Sequence, residues 1–405
     1  MTTLSLLERP GAVLAAALPV FVVLCIAMPS VWHGTAKISD VPVYKRYGDA
    51  IERGSVPYRD FRPEYPPGAL AAFVVPSLVS GSRVGYARAF ALEMALLGAA
   101  CVAFTFLVLR SLGGTGGRLA AGVAVPAAAP LLLGPLVLTR FDLYPAAIVA
   151  AALVAFVAGR DRLGGGVLGA AIAVKLFPAV LVPVAVAWVW KRRGRREALV
   201  VLAICVAVAA AVFLPFVAIA PDGVASSLWR QLGRPLQIES FGAAILLALH
   251  QLGMPLGWSS SHGSQNLTGT AADVGSVAST VAQVGALLWI WTRYARRAVT
   301  TTDAFVGACA ASLVAFVALG KVISPQFLIW LLVVVVLVTG RATWPALALL
   351  VLACALTRGW FPDRYWSLVF TFDPLASWLV LLRDLTLLAL LAVLVRPVRG
   401  RARSS

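Results

Sequence analysis

Apolar runs of roughly 17 to 25 residues recur along the whole chain, each long enough to cross the ~30 Å hydrocarbon layer of a bilayer as a helix. Short polar stretches rich in arginine, proline and glycine separate them. The first run follows Arg9 and extends from Gly11 to about Val31; it reads as a signal peptide or an anchor, and without a clear small-residue cleavage pattern the uncleaved span is preferred. Further spans are predicted at 86–110, 118–138, 142–159, 165–174, 177–190, 197–219, 273–292, 304–320, 326–340, 343–358 and 376–396, twelve in all. Runs 165–174 and 177–190 are short and meet at Lys175-Leu-Phe-Pro178, where proline interrupts a helix, so they are expected as a broken or re-entrant pair. Runs 69–80 and 238–253 are apolar but too short to cross, and are expected to lie in or near the interface.

Composition strengthens this picture. With 60% hydrophobic and only 13% charged residues, and a mean hydropathy of +0.90, the 405 residues hold too little polar surface to cover a soluble globule. The expected class is an all-α polytopic membrane protein forming a single domain over 1–405, with no segment left for a large soluble domain. Cys25, Cys101, Cys205, Cys309 and Cys354 all fall inside apolar runs, and their odd number argues against a disulfide framework. The net charge of +17 does not indicate nucleic acid, because the basic residues sit at span ends with no RNA or DNA motif between them.

Topology accounts for the charge better. Cationic segments resist translocation and collect in the cytoplasm. In the predicted layout 18 basic residues, among them the run Lys191-Arg-Arg-Gly-Arg-Arg196 and the tail 397–405, fall in cytoplasmic loops beside only four acids, Glu8, Asp161, Glu197 and Asp303. Both termini are then cytoplasmic. Segments 32–85 and 220–272 become the first and the long outer loops, and the alanine- and arginine-rich composition suggests a bacterial plasma membrane.

In this layout the polar residues that are costly near a membrane fall overwhelmingly on the outer side, where each ionisable group is a functional candidate costing ~2.5–3.5 kcal/mol on insertion scales. They are Asp40 and Glu64 in the first outer loop, Arg140 and Asp142 in the second, and Lys175 at the third turn. Arg230, Arg234, Gln237 and Glu239 follow in the long loop, then Lys321, Ser324 and Gln326, then Arg358, Asp363 and Arg364. Their convergence predicts one outward-facing polar cavity. Acids mixed with several fixed cations suit a substrate whose leaving group is a phosphate, with a carboxylate activating an acceptor hydroxyl. No glycine-rich phosphate cradle, zinc-ligand spacing or Ser-His-Asp order occurs, so nucleotide hydrolysis and metalloprotease chemistry have no support.

Plainer roles compete at each position. Asp40 could cap a helix. Asp60 and Glu64 could hold the loop through Arg59, Arg62 or backbone donors, and Arg140 could simply pair with Asp142 at a helix end. Arg230 and Arg234 could bind lipid headgroups and Lys321 could snorkel. The tryptophans at 229, 330, 344, 360, 366 and 378 read as an interfacial belt, with Trp360 and Trp366 the best exceptions.

The first-loop pattern Asp40…Tyr44…Gly54…Pro57-Tyr58-Arg59-Asp60-Phe61…Glu64-Tyr65-Pro66-Pro67-Gly68 resembles that of glycosyltransferase family 87, the polyprenyl-phosphate-mannose-dependent mannosyltransferases of the GT-C superfamily. Arg140-Phe-Asp-Leu-Tyr-Pro145, Lys175-Leu-Phe-Pro178, Gly233-Arg-Pro-Leu-Gln-Ile-Glu-Ser240 and Gly320-Lys-Val-Ile-Ser-Pro-Gln326 are similar to motifs of that family in the same order. The resemblance implies a GT-C-type bundle of about 12 transmembrane helices with interfacial helices in the outer loops. It implies an inverting, metal- and cofactor-free transfer of mannose from a polyprenyl-phosphate donor to a glycolipid or cell-envelope glycan acceptor. Asp40 is then the general base, and Tyr44, Glu64, Arg140, Asp142, Lys175, Arg234, Gln237, Glu239, Lys321 and Gln326 are the substrate-binding candidates. A histidine role stays open among His33, His250 and His262. The competing reading is a transporter or lipid flippase, suggested by the many spans and the broken helix at Lys175; against it, no internal repeat is evident and the charges lie outside the midplane.

Overall fold

The computed structural model describes residues 10–31 and 38–396; Glu8, Arg9, His33 and the basic tail 397–405 lie outside the described residues. The described chain is helical apart from turns, 3₁₀ segments and one antiparallel hairpin, Gly257–Ser261 with Ser264–Thr268, so the protein is an all-α polytopic membrane protein. Among the described residues seven helices have the length and composition to cross a membrane: Pro10–Met28, Arg83–Ser111, Arg195–Ile219, Thr270–Ala295, Thr302–Leu319, Gly340–Arg358 and Pro374–Val395.

The other five predicted spans are realised as shorter or broken helices, and the local sequence explains each. Run 118–138 divides into Gly116–Ala127, Ala129–Leu133 and Leu136–Thr139, because Pro130 and Pro135 lack an amide donor and Gly134 takes a positive φ of 61°. Run 142–159 is the 15-residue helix Leu143–Val157. The proline-broken pair is Asp161–Val174 and Val182–Arg193, joined by the 3₁₀ turn Phe177–Leu181, with Lys175 in extended backbone between them. Run 326–340 is Phe327–Val334 continued by a 3₁₀ turn. The short runs 69–80 and 238–253 become Ala71–Val79 and Phe241–Gln251.

Glycine allows two helices to touch along their backbones. A Cβ on Gly169 would lie 2.2 Å from the carbonyl oxygen of Cys205, and one on Gly165 2.8 Å from that of Val201. The small residues four apart let Asp161–Val174 lie against Arg195–Ile219, which is how helices associate where burial from water supplies no driving force.

The helices give the molecule two chemically different ends. At one, Arg118 donates to the carbonyls of Val336 and Val338, Thr339 to Asp303, Arg193 to Asp161 and Gly159, Lys191 to the Arg297 carbonyl, and Arg293 to the Val395 carbonyl. At the other lie Asp40, Arg140, Asp142, Lys175, Gln237 and Lys321. Helix Leu143–Val157, which runs from Asp142 toward Gly159, is about 22 Å long at 1.5 Å per residue. That is about three-quarters of the ~30 Å bilayer core.

Candidate functional site

Asp40 stands at the N-cap of helix Val41–Glu52, where Pro42 in the first turn favours helix initiation, yet its side chain makes no capping hydrogen bond. Instead its Oδ2 forms an ion pair with Nη1 of Arg140 and lies 3.4 Å from the hydroxyl of Tyr44, one turn further along the helix. Oδ1 has no partner among the described residues, and the side chain is one-third exposed. Tyr44 itself is buried, stacked on Phe73 at 4.4 Å and edge-on to Tyr65 and Phe141. The capping alternative for Asp40 therefore does not apply, and the carboxylate is oriented by a guanidinium.

Arg140 does not pair with Asp142 as a simple helix-end couple. Asp142 is 1% exposed and its Oδ1 accepts from Nζ of Lys175 at 2.6 Å and from Nε1 of Trp330 at 2.8 Å. The Lys175 ammonium also lies over the rings of Phe141, Trp330 and Phe327 at 4.6, 4.9 and 5.6 Å. Burial lowers the pKa of Lys175, the Asp142 carboxylate opposes that, and Arg234 and Arg140 add to it. Trp330 is thus a correction to the belt assignment: it is 2% exposed, sandwiched between Phe177 and Phe327, and holds Asp142. Trp360 is likewise buried, whereas Trp229, Trp344, Trp366 and Trp378 are exposed.

The stretch 236–240 is non-helical and yet buried, a condition that requires each of its backbone groups to find a partner. The amide of Gln237 donates to the Lys321 carbonyl, that of Ile238 to Gln265, and the Leu236 carbonyl accepts from Leu267 in the hairpin. Gln237 Nε2 reaches Glu239 Oε2 at 3.2 Å and Ser324 Oγ at 3.1 Å. Arg383 completes the set by donating to the Glu239 carbonyl at 2.6 Å, and its own charge is matched by Asp384 at 2.6 Å. Arg383 and Asp384 are fully buried in helix Pro374–Val395 and were not among the sequence candidates. The signal was present, since two adjacent ionisable residues inside an apolar span are expensive unless used.

Burial raises Glu239 to about 8 against the opposing fields of Arg383, Arg140 and Arg234. Burial likewise lowers Arg140 to about 10 and lowers Arg234. Arg234 donates through Nη2 to the carbonyl of His262 at 2.9 Å, while its Nε and that of Arg140 are buried without a partner among the described residues. Glu64 lies under the hairpin tip: a Cβ on Gly263, whose φ is +66°, would sit 2.7 Å from its Oε2, and its carbonyl accepts from Gln231. Lys321 donates to the Leu232 carbonyl, and burial lowers its pKa. Gln326 opens helix Phe327–Val334, half-buried and with no side-chain partner among the described residues.

The candidates thus gather at one end of the bundle. Asp40, Glu64, Lys321 and Gln326 are partly exposed, and Arg140, Asp142, Gln237 and Glu239 are buried below them. Asp60 stands apart: it pairs with Arg59 at 2.8 Å, accepts from the Val56 amide, and is held near 2 by those bonds, so it fastens the loop. Arg364 pairs with Asp373. His250 bonds the Met254 carbonyl, and no group of histidine, cysteine and carboxylate side chains suited to a metal occurs among the described residues.

With Glu239 mostly protonated at neutral pH, the cluster of Arg140, Lys175, Arg234 and Lys321 faces Asp40, Asp142 and Glu64 with positive charge in excess. Two of those cations still have unsatisfied donors. This suits a dianionic phosphate next to a carboxylate able to accept a proton. The family model Glycosyltransferase family 87 matches residues 64–325, well over half of the chain, and spans every substrate-binding candidate except Tyr44 and Gln326, while Asp40 lies before it. No curated protein matches the chain.

Proposed function

The chain belongs to glycosyltransferase family 87, and from that premise we propose that it moves mannose from a polyprenyl-phosphate donor to a lipid-linked or cell-envelope glycan acceptor, with inversion at the anomeric carbon. The observation that carries this reading is the Asp40 carboxylate held by Arg140 with Oδ1 open, beside desolvated cations on Lys175, Arg234 and Arg140. An acceptor hydroxyl gives its proton to Oδ1 of Asp40 as its oxygen bonds to the anomeric carbon. The bond from that carbon to the phosphate oxygen breaks, and polyprenyl phosphate leaves with the electron pair. The cations stabilise the charge that develops on the phosphate oxygens, and they act strongly because water is excluded around them. Tyr44 and Arg140 position the base, while Gln237, Glu239 and Gln326 offer polar contacts to sugar hydroxyls. No metal or other cofactor takes part in this scheme.

The gathering of Arg118, Arg193, Arg293 and Arg341 at the opposite end supports placing that end in the cytoplasm and the site on the outer face of a bacterial plasma membrane. Purified protein given labelled polyprenyl-phospho-mannose and a panel of bacterial glycolipids is expected to label one product. Asp40→Asn keeps an acceptor for Arg140 and Tyr44 but gives up the base and the negative charge opposite Arg140. Transfer is expected to drop by about 10²–10⁴ with donor binding preserved. Full activity in that variant would remove Asp40 from the role, and lipid movement across liposomes without sugar transfer would favour a flippase.

A further inference from the structure

At the end of the bundle remote from Asp40 there is a cavity of about 830 Å³ between helices Thr270–Ala295, Thr302–Leu319 and Pro374–Val395 and the turn at 338–342. Four arginines line it, Arg293, Arg297, Arg341 and Arg396, against one acid, Asp303, whose Oδ1 is already taken by the hydroxyl of Thr339. Arg293 is fixed by its bond to the Val395 carbonyl and by the ring of Trp289 at 5.1 Å. Among the described residues no acceptor is paired with the side chains of Arg297, Arg341 or Arg396. The inner wall is apolar and made of small residues, Gly307, Ala308 and Ala311, and a Cβ on Gly307 would meet nothing within 4 Å.

We propose that this cavity binds the headgroup of an anionic phospholipid of the leaflet at that end, with the phosphodiester among the arginines and the start of the acyl chains against the small-residue wall. Guanidinium forks match phosphate oxygens in pairs, and basic pockets between helices at this depth recognise anionic headgroups. Trp289 and Leu288, both about half exposed, continue the apolar surface along helix Thr270–Ala295 toward the membrane interior. The tail 397–405 does not suit the cavity as an occupant, since it adds Arg399, Arg401 and Arg403 and no acidic side chain. The site shares no residue with the Asp40 cluster, and the inference is independent of the transfer reaction.

Native mass spectrometry of the full chain in detergent, titrated with phosphatidylglycerol or phosphatidylcholine, tests the proposal. Retention of phosphatidylglycerol is expected to exceed that of phosphatidylcholine by roughly tenfold or more. The triple variant Arg297→Gln, Arg341→Gln, Arg396→Gln should bring the two lipids level. Gly307→Phe, which fills the cavity from the wall, should lower retention with the lipid-free thermal midpoint unchanged; should that variant not fold, the triple variant decides alone. Equal retention of the two lipids by the wild type, or undiminished preference in the triple variant, would overturn the proposal. Displacement of the lipid by soluble glycerol 3-phosphate at matching concentration would also overturn it, by showing a site for a free anion.

Discussion

Asp142 is the residue through which the cluster is tied together, because one carboxylate oxygen accepts from both Lys175 and Trp330 at 1% exposure. Removing its charge leaves a desolvated ammonium with no counter-ion, and breaking a buried pair from one side costs about 3–5 kcal/mol. Asp142→Ala is therefore expected to lower the thermal midpoint in detergent steeply, whereas Trp330→Phe removes a single hydrogen bond and should cost about 1–2 kcal/mol. Glu239 gives a pH signature of its own. Burial lifts it from 4.5 to about 8, so between those values the folded protein holds a proton that the unfolded chain has released. Stability contributed by this group is fully present below the unfolded value and falls as pH rises toward about 8. Glu239→Gln should flatten the decline in thermal midpoint between pH 5 and 8; a slope identical to wild type would show that Glu239 does not titrate there.

At the scale of elements, the buried stretch 236–240 depends on two supports distant in sequence, the hairpin Gly257–Ser261/Ser264–Thr268 and Arg383 on helix Pro374–Val395. Arg383→Leu leaves the Asp384 carboxylate and the Glu239 carbonyl without a donor, while the double variant Arg383→Leu, Asp384→Leu removes both charges together. The single variant is expected to lose about 3–5 kcal/mol and the double variant clearly less, measured as a double-mutant cycle on thermal unfolding. If the losses simply add, the two side chains are not coupled. Helix boundaries follow local chemistry closely at Lys175-Leu-Phe-Pro178, where proline and an extended lysine divide one apolar stretch into two helices. The hairpin gave no comparable signal: its strands are polar and rich in serine, and they pair because segment 233–240 offers them backbone partners.

For the molecule as a whole, the proposed orientation puts the carboxylate-bearing end outside and the arginine-rich end in the cytoplasm, and thiol labelling tests it. All five cysteines are buried, so the native chain offers little background to thiol reagents. Gly54→Cys, in the loop behind Asp40, is expected to react with a membrane-impermeant maleimide in intact cells. Arg195→Cys should react only after permeabilisation. The reverse pattern would invert the orientation and move the transfer reaction to the cytoplasmic face. Gly54 and Arg195 are both exposed, and neither belongs to the site.

Length, hydropathy and the placement of arginines are additive properties of short windows, and for that reason the sequence alone determined the all-helical membrane class, whereas its twelve expected spans resolve into seven helices of crossing length and several shorter or broken ones among the described residues. It also supplied the candidates from Asp40 to Gln326, because an ionisable residue at a span end is costly wherever it is found. Which of them touch was decided by tertiary structure. Asp40 meets Arg140 across a hundred residues, Asp142 meets Lys175 and Trp330 in place of its neighbour Arg140, and Arg383 reaches Glu239 from a helix more than a hundred residues further along the chain. Such pairings arise from the packing of helices whose crossing points depend on contacts between glycines such as Gly169 and backbone far along the chain. No local window contains that information.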